Sequence, residues 1–310
     1  MHDVPDSSIS SPRPSVLPVV AVVVANVALA FGPLFVRMAD TGPVAAAFWR
    51  IALAVPVLLI AAFALKERPV ASARGLWGVL MIAGLAFAAD LGSWHFGIVR
   101  TTLANSTLFG NSASFIYPIY GFLIARAWPT RQQGLALALA AMGAAVLLGR
   151  SAELSSRNLV GDLFCVAAGV LYAVYFIYMA RARAQMRPVS ALALSSVATV
   201  APLLVFALLL GERIMPTDWT PVILLAVVSQ LIGQGLMIYA LGHLSPLVVG
   251  LALLLQPVVA ATLGWIVFDE RLATLDIFGA VLVAVALVLV RRGQPKPLPV
   301  APSDPRSGAN

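Results

Sequence analysis

The chain has 310 residues, of which 61% are hydrophobic and only 11% charged, and its formal net charge is +7. A soluble domain carries about 25% charged residues because its surface faces water, so a mostly apolar exterior of this kind calls for lipid as its solvent. The basic residues are dispersed and accompanied by no nucleic-acid motif, which excludes a nucleic-acid partner, and the single cysteine, Cys165, excludes an internal disulfide framework and any multi-cysteine metal site.

Residues 1–15 hold one arginine among several prolines and serines and read as a disordered tail. The apolar run Val16–Val36 has spanning rather than signal length and lacks a small-residue cleavage site, so it is expected to be a retained helix. A helix needs about 20 apolar residues to cross the hydrocarbon core. Further spans are predicted at Val44–Leu65, Gly75–Phe96, Leu103–Ala125, Gln132–Leu148, Gly161–Ala180, Ala191–Leu210, Pro221–Leu241, Leu247–Phe268 and Leu275–Val290. Pro, Gly, Asp, Arg and Thr fill the breaks, as expected where chain meets headgroups and water. Residues 150–160 form a linker, and the segment 293–310 is expected to be disordered.

Lys and Arg set the orientation. With both termini in the cytoplasm, thirteen basic residues fall inside and six outside, with Arg50 within a span. A bacterial-type inner membrane with both termini cytoplasmic is the expected setting. The stretch Thr102-Leu103-Ala104-Asn105-Ser106-Thr107-Leu108 to Leu148 parallels Ser245-Pro246-Leu247-Val248-Val249-Gly250-Leu251 to Val290. Spans four and five therefore match spans nine and ten. An odd count of five per unit inverts the second copy, and inverted repeats that rock about a midplane site are a transporter device. The expected fold is an all-α integral membrane protein of ten transmembrane helices, with one five-helix repeat over 16–149 and an inverted one over 161–292.

Ser245-Pro246, Gln256-Pro257, Glu270-Arg271-Leu272 and Gly279, with Phe48-Trp49-Arg50 and the Thr102–Leu108 stretch, resemble the EamA-type branch of the drug/metabolite transporter superfamily. The resemblance covers residues 16 to 292 and rests on order and spacing rather than on any one motif. It departs at Ser114, where a proline matching Pro257 is usual (Pro118 follows four residues later), and at Ala125, where an acidic residue matching Glu270 is expected. It implies a ten-helix exporter of amino acids or related metabolites; known members include YddG-like exporters of aromatic amino acids.

Ionisable groups inside lipid cost about 2.5–3.5 kcal/mol each and so ask for a reason. Asp90 and His95 share the third span about 140° apart on a helical wheel, whereas Asp90 and Trp94 share a stripe. Asp90 is a candidate for a substrate amine or, like His95, for proton exchange; a hydrogen bond to a neighbouring helix is the structural alternative. Arg50 lies early enough in its span to snorkel, which favours a structural role over binding a carboxylate. Pro118 and Pro257 are expected to kink spans four and nine, placing Asn111 and Gln256 on a cavity. Gln230 and Gln234 are four apart on one face. Of Tyr172, Tyr175 and Tyr178, Tyr175 is the deepest candidate. No phosphate loop, His-Glu-x-x-His or Gly-x-Ser-x-Gly occurs, so no cofactor, metal or catalytic residue is expected. The partners implied are a small-molecule substrate and the bilayer, with a scaffold or intramembrane enzyme as the competing class.

Overall fold

A computed structural model describes residues 16–113, 155–244 and 255–270, with scattered positions between 116 and 146 and between 249 and 289. All regular structure among the described residues is helical: α1 (Leu17–Ala30), α2 (Gly32–Met38), α3 (Pro43–Ala64), α4 (Pro69–Ser72), α5 (Trp77–Ile98), α6 (Leu103–Gly110), α7 (Ser156–Arg183), α8 (Pro188–Leu209), α9 (Thr220–Leu224), a π-helical stretch Leu225–Gln234, α10 (Gly235–Leu241) and α11 (Leu255–Phe268). Among the described residues six stretches are long and apolar enough to span a bilayer: Leu17–Met38, Pro43–Ala64, Trp77–Ile98, Ser156–Arg183, Pro188–Leu209 and Thr220–Leu241. The expected fourth, fifth and tenth spans lie only in part within the described residues, and Pro118 lies outside them.

The packing inverts that of a water-soluble protein. Val19, Val23, Ile60, Phe63, Leu209 and Trp265 face outward, while Asn26, Arg50, Asp90, His95, Gln230 and Gln234 are buried. A soluble chain arranged this way would aggregate; in lipid the apolar exterior is at home and backbone polar groups are met within the helices. The protein is a multi-pass membrane protein.

Three boundaries differ from expectation. The first span breaks at Phe31, because Pro33 has no amide to offer Leu29 one turn earlier. The sixth begins at Ser156, five residues before Gly161, since Ser155 caps it by accepting a hydrogen bond from the Asn158 amide at 3.1 Å. The eighth carries ten residues of π-helix, for which its composition gives no sign.

The helices α3 and α8 obey one plan. Each opens on Pro-Val, runs 22 residues, and contains an internal proline, Pro56 or Pro202. Each then passes through a left-handed residue, Lys66 (φ 55) or Gly211 (φ 65), into a glutamate. The two glutamates cross over. Glu67 accepts from the Ser190 amide (3.0 Å) and hydroxyl at the start of α8, and Glu212 accepts from the Ala45 amide (2.8 Å) at the start of α3. Amides in a first helical turn lack intrahelical acceptors, so each helix supplies the cap its partner needs. A third copy of the device follows α11. Asp269 (φ 51) leads to Glu270, which accepts from the Leu103 amide at 2.9 Å at the start of α6 and pairs with Arg37 on α2.

The Trp77–Ile98 and Ser156–Arg183 helices form the most extensive interface among the described residues. Their approach is close at Gly97 and Gly161: a Cβ on Gly97 would lie 2.6 Å from the Cys165 sulfur and 2.7 Å from the Gly161 carbonyl oxygen. Gly97→Leu is therefore expected to sharply reduce folded yield in detergent, at a cost of about 1–3 kcal/mol or more. Gly78→Ala, where no atom lies within 4 Å of the added carbon, should behave as wild type. Burial pushes the Glu212 carboxyl above the usual range, against the pull of the Ala45 and Val44 amides. Because its folded value is raised, the Glu212 contribution is fullest in acid and falls as pH rises through that value. Glu212→Gln, which still accepts from Ala45, should keep its thermal midpoint and lose this pH slope. Glu212→Ala strands the amide and should lose about 1–3 kcal/mol.

Candidate functional site

A cavity sits in the middle of the bundle, lined by Leu29 of α1, Arg50 of α3, Phe87, Asp90, Leu91 and Trp94 of α5, Thr107, Gly110 and Asn111 at the end of α6, Tyr172 of α7, Gln234 of the π-helical stretch and Gln256 of α11. Both halves of the sequence contribute. Its volume of about 40 Å³ is room for about three waters at 10–15 Å³ each. Admission of any organic solute therefore requires the helices to part.

Most polar groups of the wall are held by neighbours. Gln256 donates to the Asn26 side-chain oxygen at 2.8 Å, and Asn26 in turn donates to the Val22 carbonyl at 2.7 Å. Tyr172 donates to Gln234 at 3.2 Å, and Gln234 donates to the Tyr175 hydroxyl at 3.4 Å. Trp94 donates its indole N–H to the Ser106 carbonyl at 2.9 Å, and its ring lies against Gly110 and Gly32, where side chains would collide with it or press on it. Phe87 stacks on Tyr175 with ring centroids 4.3 Å apart.

Three groups are not satisfied. Arg50 donates from Nε to Gln230 Oε1 at 3.1 Å, but its Nη1 has no partner, and the Asn111 Nδ2 has none either. Asp90, buried on the same cavity, forms no hydrogen bond or ion pair with any described residue. Arg50 and Asp90 thus line one small cavity and act on each other electrostatically without forming a hydrogen bond or ion pair. Leaving buried polar groups without partners costs free energy, so these three stand apart from the satisfied wall around them.

The expected site residues divide accordingly. Asp90, Trp94, Asn111, Gln234 and Gln256 come together on the wall. His95, Tyr175 and Gln230 stand behind it. His95 is fully buried, with Nδ1 3.0 Å from the Pro43 carbonyl; that nitrogen therefore carries the proton, and Nε2 has no partner. Tyr175 is covered by Phe87 and Gln234, and it is Tyr172 that reaches the cavity. Gln230 holds Arg50 and reaches Ser196 at 3.4 Å. Arg50 does not snorkel: it is 1% exposed and lines the cavity. Pro257 lies inside α11, one residue beyond Gln256. Asn26 was missed altogether, although a lone amide in a run of Val and Ala is itself a signal. Among the described residues no cluster of His, Cys, Asp or Glu could hold a metal.

Known proteins agree with this architecture. The EamA-like transporter family matches residues 16–149 and again 159–292, so the domain occurs twice. An uncharacterized transporter of Archaeoglobus fulgidus is 27% identical over 142 residues, covering 45% of this chain and 48% of that protein. The chain thus aligns with about half the length of that relative. One crystal structure of a protein superposes with a TM-score of 0.63 at 14% identity, covering 88% of this chain and 96% of the other, a likeness of fold alone. With two family domains spanning nearly all of its length, the chain belongs to the EamA-like transporter family, whose members carry solutes across membranes and are not enzymes.

Proposed function

We propose that the chain is a secondary transporter that exports amino acids with hydrophobic or aromatic side chains by alternating access, through ten helices arranged as two inverted five-helix repeats over 16–149 and 161–292. One observation supports the substrate class: two unmet donors, Arg50 Nη1 and Asn111 Nδ2, share a small cavity with the carboxyl group of Asp90, which has no hydrogen-bond partner among the described residues. The donors suit a carboxylate and Asp90 suits an ammonium, which together describe a zwitterion. Leu29, Phe87, Leu91, Trp94 and Tyr172 offer the apolar side chain its surface. A sugar phosphate would want several cations here, and Arg50 is the only one among the described lining residues. The cavity is too small to hold such a solute as it stands, so the halves must rock apart to load and release it. Pro257, in the first turn of α11, is proposed as the hinge for this motion, with Pro118 as its counterpart.

Proton coupling is assigned to Asp90: a carboxylate that alternately holds a proton and the substrate ammonium exchanges one for the other. His95 is proposed to assist from behind the wall. Thirteen inside against six outside basic residues support a bacterial-type inner membrane with both termini cytoplasmic, so alkaline phosphatase fused to the C-terminus should be inactive there.

Proteoliposomes preloaded with a labelled amino-acid mixture should selectively lose the hydrophobic and aromatic members relative to protein-free vesicles. Asp90→Asn should slow efflux about tenfold or more and flatten its pH dependence, because a hydrogen bond to a charged group contributes about 1.5–3 kcal/mol. Gln256→Ala should slow it less. If both variants match wild type, the cavity is not the transport site; if vesicles lose a different solute class, the amino-acid assignment fails while transport stands. Tyr172→Phe keeps the ring and removes one hydrogen bond to Gln234, and a rate loss of about fivefold is expected.

A further inference from the structure

A second recess opens at the end of the molecule where α2, α5 and α11 finish and α6 and α7 begin. It measures about 520 Å³ and shares no lining residue with the central cavity. Its walls carry Arg37, Arg100, Arg157, Asn158, Phe268 and Glu270.

The three arginines converge on the last turn of α5. Arg37 donates to the Ile98 carbonyl at 3.2 Å and also to Thr101; Arg100 donates to the Phe96 carbonyl at 2.7 Å; Arg157 donates to the Val99 carbonyl at 2.9 Å. Cations at a helix C-terminus are favourable, but that terminus carries only about half a negative charge, and the α7 N-terminus beside it brings about half a positive one. The one carboxylate among the described lining residues, Glu270, is fully engaged, Oε1 by Arg37 and Oε2 by the Leu103 amide. Arg100 and Arg157 have no carboxylate partner among the described residues. Each makes a single hydrogen bond to the described residues out of five N–H groups. The lining therefore carries a surplus of about two positive charges. Glu212 acts on Arg100 only at a distance and is bonded to Ala45. Glu153 and Arg271, outside the described residues, have opposite signs. Burial and the adjacent Arg157 charge push the Arg100 guanidinium below the usual arginine range. Arg100 nonetheless stays fixed, its guanidinium 3.3 Å above the Phe96 ring.

We propose that this recess is a second ligand site that takes an oxyanion, a phosphate or carboxylate group, between Arg100 and Arg157, with the apolar part of the same ligand against Phe268. Guanidinium forks match the planar oxygens of such groups, and two of them held side by side gain from an anion that separates their charges. The size of the recess exceeds that of an inorganic ion, and the half-exposed Phe268 ring gives an amphiphile a second point of attachment. The headgroup of an anionic phospholipid and a soluble organic anion both carry this chemistry.

Thermal unfolding of the full chain in nonionic detergent tests the site without any transport step, so its failure is distinct from failure of the transport reading. Phosphatidylglycerol, titrated against phosphatidylcholine at fixed ionic strength, should raise the unfolding midpoint saturably. Arg157→Gln should raise the half-saturating concentration about tenfold, the loss of one charge-assisted hydrogen bond. Arg100→Gln should do the same; because it also loses its stacking on Phe96, Arg157→Gln is the deciding variant. Arg213→Gln, a basic residue outside the recess, should leave the response unchanged. An equal, variant-sensitive shift with inorganic phosphate alone assigns a soluble anion rather than a lipid. A wild-type response in Arg157→Gln, or no midpoint difference between either probe and its neutral control, overturns the proposal.

Discussion

Lipid offers no hydrogen bonds, and the structure depends on that constraint. A polar side chain that enters the span must find its partner inside the protein, and the partners here lie across the sequence from one another. Gln256 reaches Asn26 and Arg50 reaches Gln230, while Glu67 and Glu212 exchange places at the starts of α8 and α3. These bonds are few, but in a medium with no hydrophobic drive between helices they and close van der Waals contact are what specify one arrangement over others. The small residues at Gly97 and Gly161 supply the contact, and the amides and carboxylates supply the register.

Against this background of mutual satisfaction, the exceptions gain meaning. Arg50 Nη1, Asn111 Nδ2 and the Asp90 carboxylate gather on one cavity that both halves build. A protein built only for stability would have closed Arg50 on Asp90 or replaced both with apolar residues of like volume. Keeping these groups apart leaves unmet polar atoms beside an aromatic wall. The π-helical stretch contributes to the same end. It carries Gln230 to Arg50 and Gln234 to the tyrosines, and such stretches recur where function asks a helix to depart from its regular course.

How far the sequence disclosed this follows from the physics of each signal. Spans are legible because hydrocarbon thickness demands long apolar runs, and the helices at Pro43–Ala64, Trp77–Ile98 and Pro188–Leu209 lie within a few residues of their expected places. The pairing of Asp90 with Trp94 on one stripe was legible from helical spacing alone. Arg50 was misjudged because depth along a span tells how far a side chain is from water, not which neighbours surround it. Tyr172 and Tyr175 could not be told apart by depth, since the choice rests on where Phe87 stacks. The π-helical stretch has the composition of any apolar helix. The crossed glutamates could have been found from their matching distance behind Pro43 and Pro188, but their exchange of caps needs the three-dimensional pairing of α3 with α8.

The position of Cys165 carries a consequence of its own. As the only cysteine, it lies at the close crossing of α5 and α7, beside Gly97 and without exposure to solvent. That crossing joins a helix of the first family domain to one of the second. The thiol is thus a natural clock for the seam between them. If the halves slide while the seam stays closed, a small alkylating reagent finds it no sooner during turnover than at rest. If the seam itself opens with each cycle, labelling accelerates with substrate, and the protein reports which surface moves without any residue having been changed.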